Sequence, residues 1–310
     1  MLTRRSFNKL LISGIAVGVR SASAARRSSA GDVRLGLESY SLSPLSHTGL
    51  QDRWIALMKQ LGLNECNLFE PLLQPQELAS KLRAAREMKD QAAIEAANRD
   101  LNEWRSSLPM SYFSDIKKKF AAAGIRFAIY TANITNGATD ADLERACASA
   151  QAIGAESISV SAGKSVVKRF IPLLAKYNLR IGIQGRPAAA SSDPDAIARP
   201  ADYEEAVDYS PLCDIELDIG DATGAGFDVM SFVQKNHARI YRLELKDRKR
   251  DKTSMPWGEG DSPVRDILLY VRNNNLPIRC YIDCDYAPAN EQRIESITKC
   301  RDFIRTVLES

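Results

Sequence analysis

Short apolar or alternating runs recur along the chain from Val33 onward, separated by longer segments whose apolar residues fall at helical spacing. The runs Arg34–Tyr40, Glu65–Phe69, Arg126–Thr131, Ser157–Val160, Arg180–Gln184, Ile215–Ile219, Ile240–Leu245 and Arg279–Asp283 read as strands. Between the first two, Trp54, Leu57, Met58 and Leu61 form one apolar helical face. Several helical segments end in Gly or Asn just before the next strand, as at Gly62, Gly124, Gly154 and Asn178. These residues accept the left-handed conformation that closes a helix. Strand and helix alternate eight times, which predicts an α/β fold, a single (β/α)8 TIM barrel over residues 32–310.

Two stretches break the regular alternation. About 71–124, between the second and third strands, is too long for one helix. Its pattern gives a helix over Pro75–Met88, a break at Asp90-Gln91, and a second helix marked by Ile94, Ala97, Leu101 and Trp104. This is a helical insertion, and it can be a solvated decoration, a lid or a contact between copies of a homo-oligomer. Pro187–Pro200, rich in Ala, Ser, Asp and Pro, reads as a loop at the end of the barrel where function resides.

Polarity is most unusual over Cys213–Asp247. Asp214, Glu216 and Asp218 share one face of a strand whose other face is Ile215, Leu217 and Ile219. Arg242, Glu244 and Lys246 repeat the pattern against Leu243 and Leu245. A half-exposed edge strand would look like this, and so would a barrel strand whose inner face carries a site. In a closed barrel the second reading holds.

The N-terminus changes the charge account. Residues 1–24 hold Arg4, Arg5, Lys9 and Arg20, no acids, an apolar run Leu10–Val19 and a small-residue end at Ala22-Ser23-Ala24. Thr3-Arg4-Arg5-Ser6-Phe7-Asn8-Lys9 resembles a bacterial twin-arginine export signal. Cleavage there, with 25–31 as a linker, predicts a periplasmic protein, and the alternative is a retained membrane tether. The formal charge of +3 then falls to about −1, since 42 basic residues lose four while the 39 acids all remain. A near-neutral chain has no electrostatic footing for nucleic acid or an anionic membrane. The cysteines at 66, 147, 213, 280, 284 and 300 show no metal spacing, which leaves buried thiols or a periplasmic disulfide.

Four pieces, Leu217-Asp218-Ile219-Gly220, the run Gly226–Asp247, Gly258-Glu259-Gly260-Asp261 and Tyr281–Tyr286, resemble in order and spacing the xylose-isomerase-like barrels, the sugar phosphate isomerases and epimerases. The resemblance implies a divalent metal held by Glu, Asp, His and Glu at the ends of strands five to eight. Those positions fall on Gln184, Asp218, Glu244 and Asp283, so only Asp218 is identical, and a further family histidine falls on Asp221. An all-oxygen set suits Mg, Mn or Ca rather than zinc. Without a cation the carboxylates would repel and one would take up a proton, unless Arg186, Arg242 or Lys246 paired with them.

The family moves a proton beside a carbonyl using two opposed carboxylates. Gln184 cannot accept a proton, so Asp283 is left as the lone base, with Lys246 or Glu244 returning the proton. Lys246 can do so only if its pKa falls; its alternative role is pairing with Asp247 or Glu244. Glu38, Glu70, Arg186, Asp221, Trp257 and Glu259 are candidates for substrate contact, Trp257 by stacking on a sugar ring. The expected ligand is a small carbohydrate, a monosaccharide or keto-sugar derivative. The implied activities are isomerisation or epimerisation, a binding-only barrel, or lyase or hydrolase action on a 3-keto-glycoside. An endonuclease of this fold would need a histidine-rich centre, and the two histidines, His47 and His237, lie off the strand ends.

Overall fold

The computed structural model describes residues 33–43, 45–188, 191–287 and 291–310. The expected signal at 1–24 and the linker at 25–31 lie outside them. The elements run β1 (Arg34–Leu37), α1 (Leu50–Leu61), β2 (Glu65–Phe69), α2 (Gln76–Glu87), α3 (Gln91–Ser107), α4 (Met110–Ala122), β3 (Arg126–Thr131), α5 (Asp140–Ile153) and β4 (Ser157–Val160). They continue with α6 (Lys164–Tyr177), β5 (Arg180–Ile183), α7 (Pro200–Val207), β6 (Cys213–Asp218), α8 (Ile219–Gly224), α9 (Val229–Asn236), β7 (Ile240–Leu245), α10 (Val264–Asn273), β8 (Arg279–Ile282) and α11 (Glu291–Glu309).

The eight strands are parallel and close in sequence order, with β8 pairing β1. This is the (β/α)8 barrel. The first strand is shorter than its sequence pattern, because Ser39–Leu42 turns into a 3-10 helix that Glu38 caps. Outward-facing strand residues pack against the helices around Leu37, Leu68, Ile158, Ile181, Leu217, Leu243 and Ile282, all fully buried. Trp54 belongs to this shell, edge-on to Phe120 and Phe127. The six thiols are buried and free. No described helix is long and apolar enough to cross a membrane.

Three helices, α2 to α4, stand between β2 and β3. Helix α4 packs Phe113, Ile116 and Phe120 into the core. Helices α2 and α3 pair with each other, and Asp90 caps α3 at the break that the sequence marks, accepting from Ala93 N at 3.0 Å.

Buried polar and charged residues, beside a small apolar cluster of Ala128, Ile129 and Tyr281, stand where this fold usually stacks branched apolar layers. The strand register shifts at Cys66/Asn67 and at Ile215/Glu216. Such irregularities re-aim side chains. Asn67 and Glu216, the residues just after them, both reach the central ionic layer described next.

Candidate active site

Strand β7 runs up one wall of the barrel and places Arg242, Glu244 and Lys246 inward at successive alternate positions. Each cation gathers acids from elsewhere in the barrel, and Arg242 also reaches Glu244 of its own strand. Arg242, with 0% exposure, donates to Glu38, to Glu216 Oε2 at 2.8 Å and to Glu244 Oε1 at 2.5 Å. One turn of the pleat higher, Lys246 Nζ lies 2.7 Å from Asp218 Oδ2 and 2.8 Å from Asp283 Oδ2. Beyond the strand, Arg248 bridges Asp221 and Asp285, the latter at 2.6 Å. Three cations thus face seven carboxylates at this end of the barrel.

Glu38 is braced further by the amide of Asn67, which also donates to Thr131 Oγ1 at 2.8 Å. Gly182 on β5 leaves room for Glu216, since a Cβ there would come within 2.1 Å of its carboxylate. Glu216 Oε1 is buried and has no hydrogen-bond partner among the described residues. Such an orphan costs stability in a low-dielectric interior. Ser41 links the turn after β1 to the site, donating to Asp283 Oδ1 at 3.3 Å and accepting from Cys284 N at 2.9 Å.

The acid excess shows in the protonation equilibria. Burial lifts Glu38 from 4.5 to about 7, against the pull of Arg242 and with repulsion from Asp283. Burial also drives Glu244 well above the carboxylate range; Arg242 opposes this, and Glu38, Asp218 and Asp283 add to it. Asp283 is raised by burial, with Lys246 opposing and Asp218 and Asp285 contributing. For Lys246 burial favours the neutral amine, yet Asp218, Asp283 and Asp285 outweigh it and hold the ammonium well above its ordinary range. Its ion-pair partners in the fold are Asp218 and Asp283 rather than Asp247 or Glu244.

Carboxylate oxygens of Asp218, Glu244 and Asp283 all lie within 4.8 Å of one another. A hard cation holds oxygens at roughly 2.0–2.6 Å, so ligands opposite one another stand about 4–5 Å apart. The three residues fit such an ion in donor type, spacing and excess charge. Gln184 adjoins them, its amide donating to Glu244 Oε1 at 2.8 Å. All four positions implied for the metal converge.

The other candidates divide. Asp221 is at the rim, where burial and the neighbouring Asp218 lift it to about 6 against Lys246 and Arg248. Glu38 is buried in the Arg242 layer instead of facing open solvent. Glu70 pairs with Arg105 at 3.1 Å and accepts from Asn133 N at 3.1 Å. Arg186 is exposed and lines a separate cavity of about 340 Å³ beyond β3 to β5, its Nε 3.3 Å from Ser161 Oγ. Trp257 is buried edge-on to Phe303 of α11, so it cannot stack on a sugar. Glu259 is exposed on a turn whose purpose is different: Gly258 N and Gly260 N donate to Asp247 Oδ2 at 2.7 and 3.1 Å. A Cβ at Gly260 would come within 2.2 Å of that carboxylate.

Glu216, Asn67, Ser41, Arg248 and Asp285 belong to the site but stand out less in the sequence. Alternation with Asp218 marks Glu216, and Asn67 interrupts an apolar strand. The remaining three follow strand ends and carry no pattern.

No protein-family model and no curated protein matches the chain. Solved structures do match. A sugar phosphate isomerase/epimerase from Parabacteroides distasonis superposes with a TM-score of 0.59 at 14% identity, over 93% of this chain and 96% of that one. A D-psicose 3-epimerase from Clostridium cellulolyticum, solved with D-tagatose, gives 0.59 at 9% identity over 89% and 99%. A probable 3-DHS dehydratase from Bacillus anthracis gives 0.55 at 13% identity over 89% and 97%. At such identities the likeness establishes the barrel and nothing finer, because this fold hosts many chemistries.

Proposed function

We propose that the barrel mouth transfers a proton at the carbon beside a carbonyl in a small carbohydrate, as a sugar isomerase or epimerase does. The observation that carries this reading is the convergence of Asp218, Glu244 and Asp283, with their surplus negative charge, at the C-terminal ends of the strands. A divalent cation, Mg, Mn or Ca, would be held by these three beside Gln184. When bound, it would polarise the substrate carbonyl and acidify the neighbouring C–H bond.

The chain's own residues divide the remaining work. Asp283 is a carboxylate made more basic by its burial, and it takes the proton. Glu244, whose affinity for a proton is raised by burial, returns one to the substrate. Lys246 stays an ammonium and directs its N–H groups at the oxygen where negative charge grows. Gln184 does not exchange a proton, so a symmetric pair of catalytic carboxylates is absent from this proposal. The twin-arginine leader would place the reaction outside the cytoplasm.

A second reading, carbohydrate binding without turnover, is favoured by one feature. Lys246 and Arg242 already pair with all three candidate ligands. Incubating the Mn-supplemented protein with a panel of ketoses and aldoses in D2O separates the two. Deuterium uptake beside the carbonyl, lowered about 10²-fold or more by Asp283→Asn, supports proton transfer. Sugar binding without exchange by the wild type establishes the binding reading instead, and aglycone release from a 3-keto-glycoside would redirect the assignment to a lyase or hydrolase.

A further inference from the structure

Two cavities lie over the ends of β1 to β3, and their linings hold more arginines than acids, a charge opposite to that of the acidic cluster. One, of about 450 Å³, opens between the turn after β1 and helix α2; another, of about 340 Å³, lies between α3 and the loop from β3 to α5. Both volumes are in the range of about 300–1,000 Å³ usual for small-molecule sites. Arg86, Arg105 and Asn133 line both, so the two share a wall.

The acids of the smaller cavity are already engaged. Glu70 holds Arg105 and accepts from Asn133 N, while Asp142 caps α5 by accepting from Thr139 N at 2.8 Å and Thr139 Oγ1 at 2.7 Å. Arg86 and Arg145 line the same cavity and form no ion pair among the described residues; Arg145 spends one N–H on Leu108 O at 2.7 Å. Two guanidinium groups without acid partners, set among amide and hydroxyl side chains, suit a carboxylate or phosphate group. In the lining of the larger cavity Tyr40, 46% exposed, stands edge-on to Phe69 at 5.3 Å, a surface on which a sugar ring can lie. Tyr40 belongs to the same turn as Glu38 and Ser41, which contact Arg242 and Asp283.

We propose that these two cavities form one substrate cleft in which Arg86 and Arg145 hold an anionic group, so the natural ligand is a sugar carrying a carboxylate or a phosphate. The proposal rests on the carbohydrate reading for the sugar half of the ligand but not for the anion seat. The helices α2 and α3 are thereby a specificity element supplied between β2 and β3.

The test is calorimetric titration of wild type, Arg86→Gln and Arg145→Gln with D-glucuronate, D-glucose 6-phosphate, D-glucose and inorganic phosphate. Lys81→Gln, in an exposed pair with Asp100 on the same helices, is the control. The expected result is that an anionic sugar binds at least about tenfold tighter than glucose and loses about tenfold in each arginine variant. Glucose binding and the Lys81→Gln protein stay unchanged. Glucuronate against glucose 6-phosphate tells carboxylate from phosphate. Phosphate binding that depends on both arginines, with no sugar bound, upholds the anion seat while the carbohydrate reading fails. Equal affinity for charged and neutral sugars, or anion binding untouched by both substitutions, overturns the proposal.

Discussion

The two ends of this barrel are both ionic, yet they are balanced in opposite ways. At the N-terminal floor, Glu65, Glu156 and Asp214 face Arg34, Arg126, Arg180 and Arg279, with Arg279 Nε 2.8 Å from Glu65 and its other arm 2.6 Å from Glu156. Tyr281 adds an O–H bond to Glu65 at 2.8 Å. Cations slightly outnumber acids there. At the mouth seven carboxylates share Arg242, Lys246 and Arg248. A floor that neutralises itself does structural work. A mouth that keeps surplus negative charge in a dry place stores a demand for a cation or a proton, and the proposed function draws on that demand.

The largest effect should come from removing the central cation of each layer. Arg242→Met leaves the buried Glu38, Glu216 and Glu244 facing one another and should cost about 3–5 kcal/mol in urea unfolding. Arg279→Met should cost less, because Arg34 and Arg126 still pair with Glu65 and Arg126 with Glu156. The contrast lies in rescue: Mn²⁺ should restore part of the loss in Arg242→Met and none in Arg279→Met. Equal rescue of both, or of neither, breaks the distinction between the ends.

Acidity separates them next. Glu38 titrates near 7 in the fold against an ordinary 4.5. Between those values the folded chain keeps a proton that the unfolded chain has released, so stability falls as pH rises through the window. In chelator, lowering pH from about 7.5 to 5.5 should therefore stabilise the protein by on the order of 1–3 kcal/mol. Glu38→Gln should flatten that slope. Glu156 behaves oppositely: burial would raise it, but Arg279 and Arg126 prevail and hold it below its ordinary value. Its contribution is present above about pH 4.5 and is lost as pH falls further. A stability that declines steadily from neutral pH downward would contradict the mouth's part of this account.

How much of this was legible in the chain follows from what strand alternation encodes. Alternation tells which face a residue takes, and it put Asp218, Glu244 and Lys246 on one face; Gln184 and Asp283 came only from the family resemblance, and the structure brings all five together. It does not tell depth along the barrel axis or who stands across the lumen. The partnership of Arg242 with Glu38 joins residues 204 positions apart through barrel closure, and no local pattern carries it. Trp257 failed as a stacking platform for a similar reason, since Phe303 arrives from the last helix to cover it. The Gly258–Asp261 turn was recognisable as a landmark, but its use, donating backbone N–H groups to Asp247, depends on a loop shape that the sequence does not spell out.

A smaller effect concerns the amide among the acids. Gln184→Glu adds a carboxylate next to Glu244 and should tighten divalent-cation binding by about tenfold, about 1.4 kcal/mol. Weaker binding in that variant would mean that Gln184 faces away from the ion.

The most direct test is titration of Mn²⁺ into chelator-treated protein by calorimetry, comparing wild type with Asp218→Asn and Arg126→Met. The account predicts one site per chain in wild type and Arg126→Met, and a loss of about 10-fold or more in affinity for Asp218→Asn. No binding by wild type, or binding that Asp218→Asn leaves intact, would contradict it.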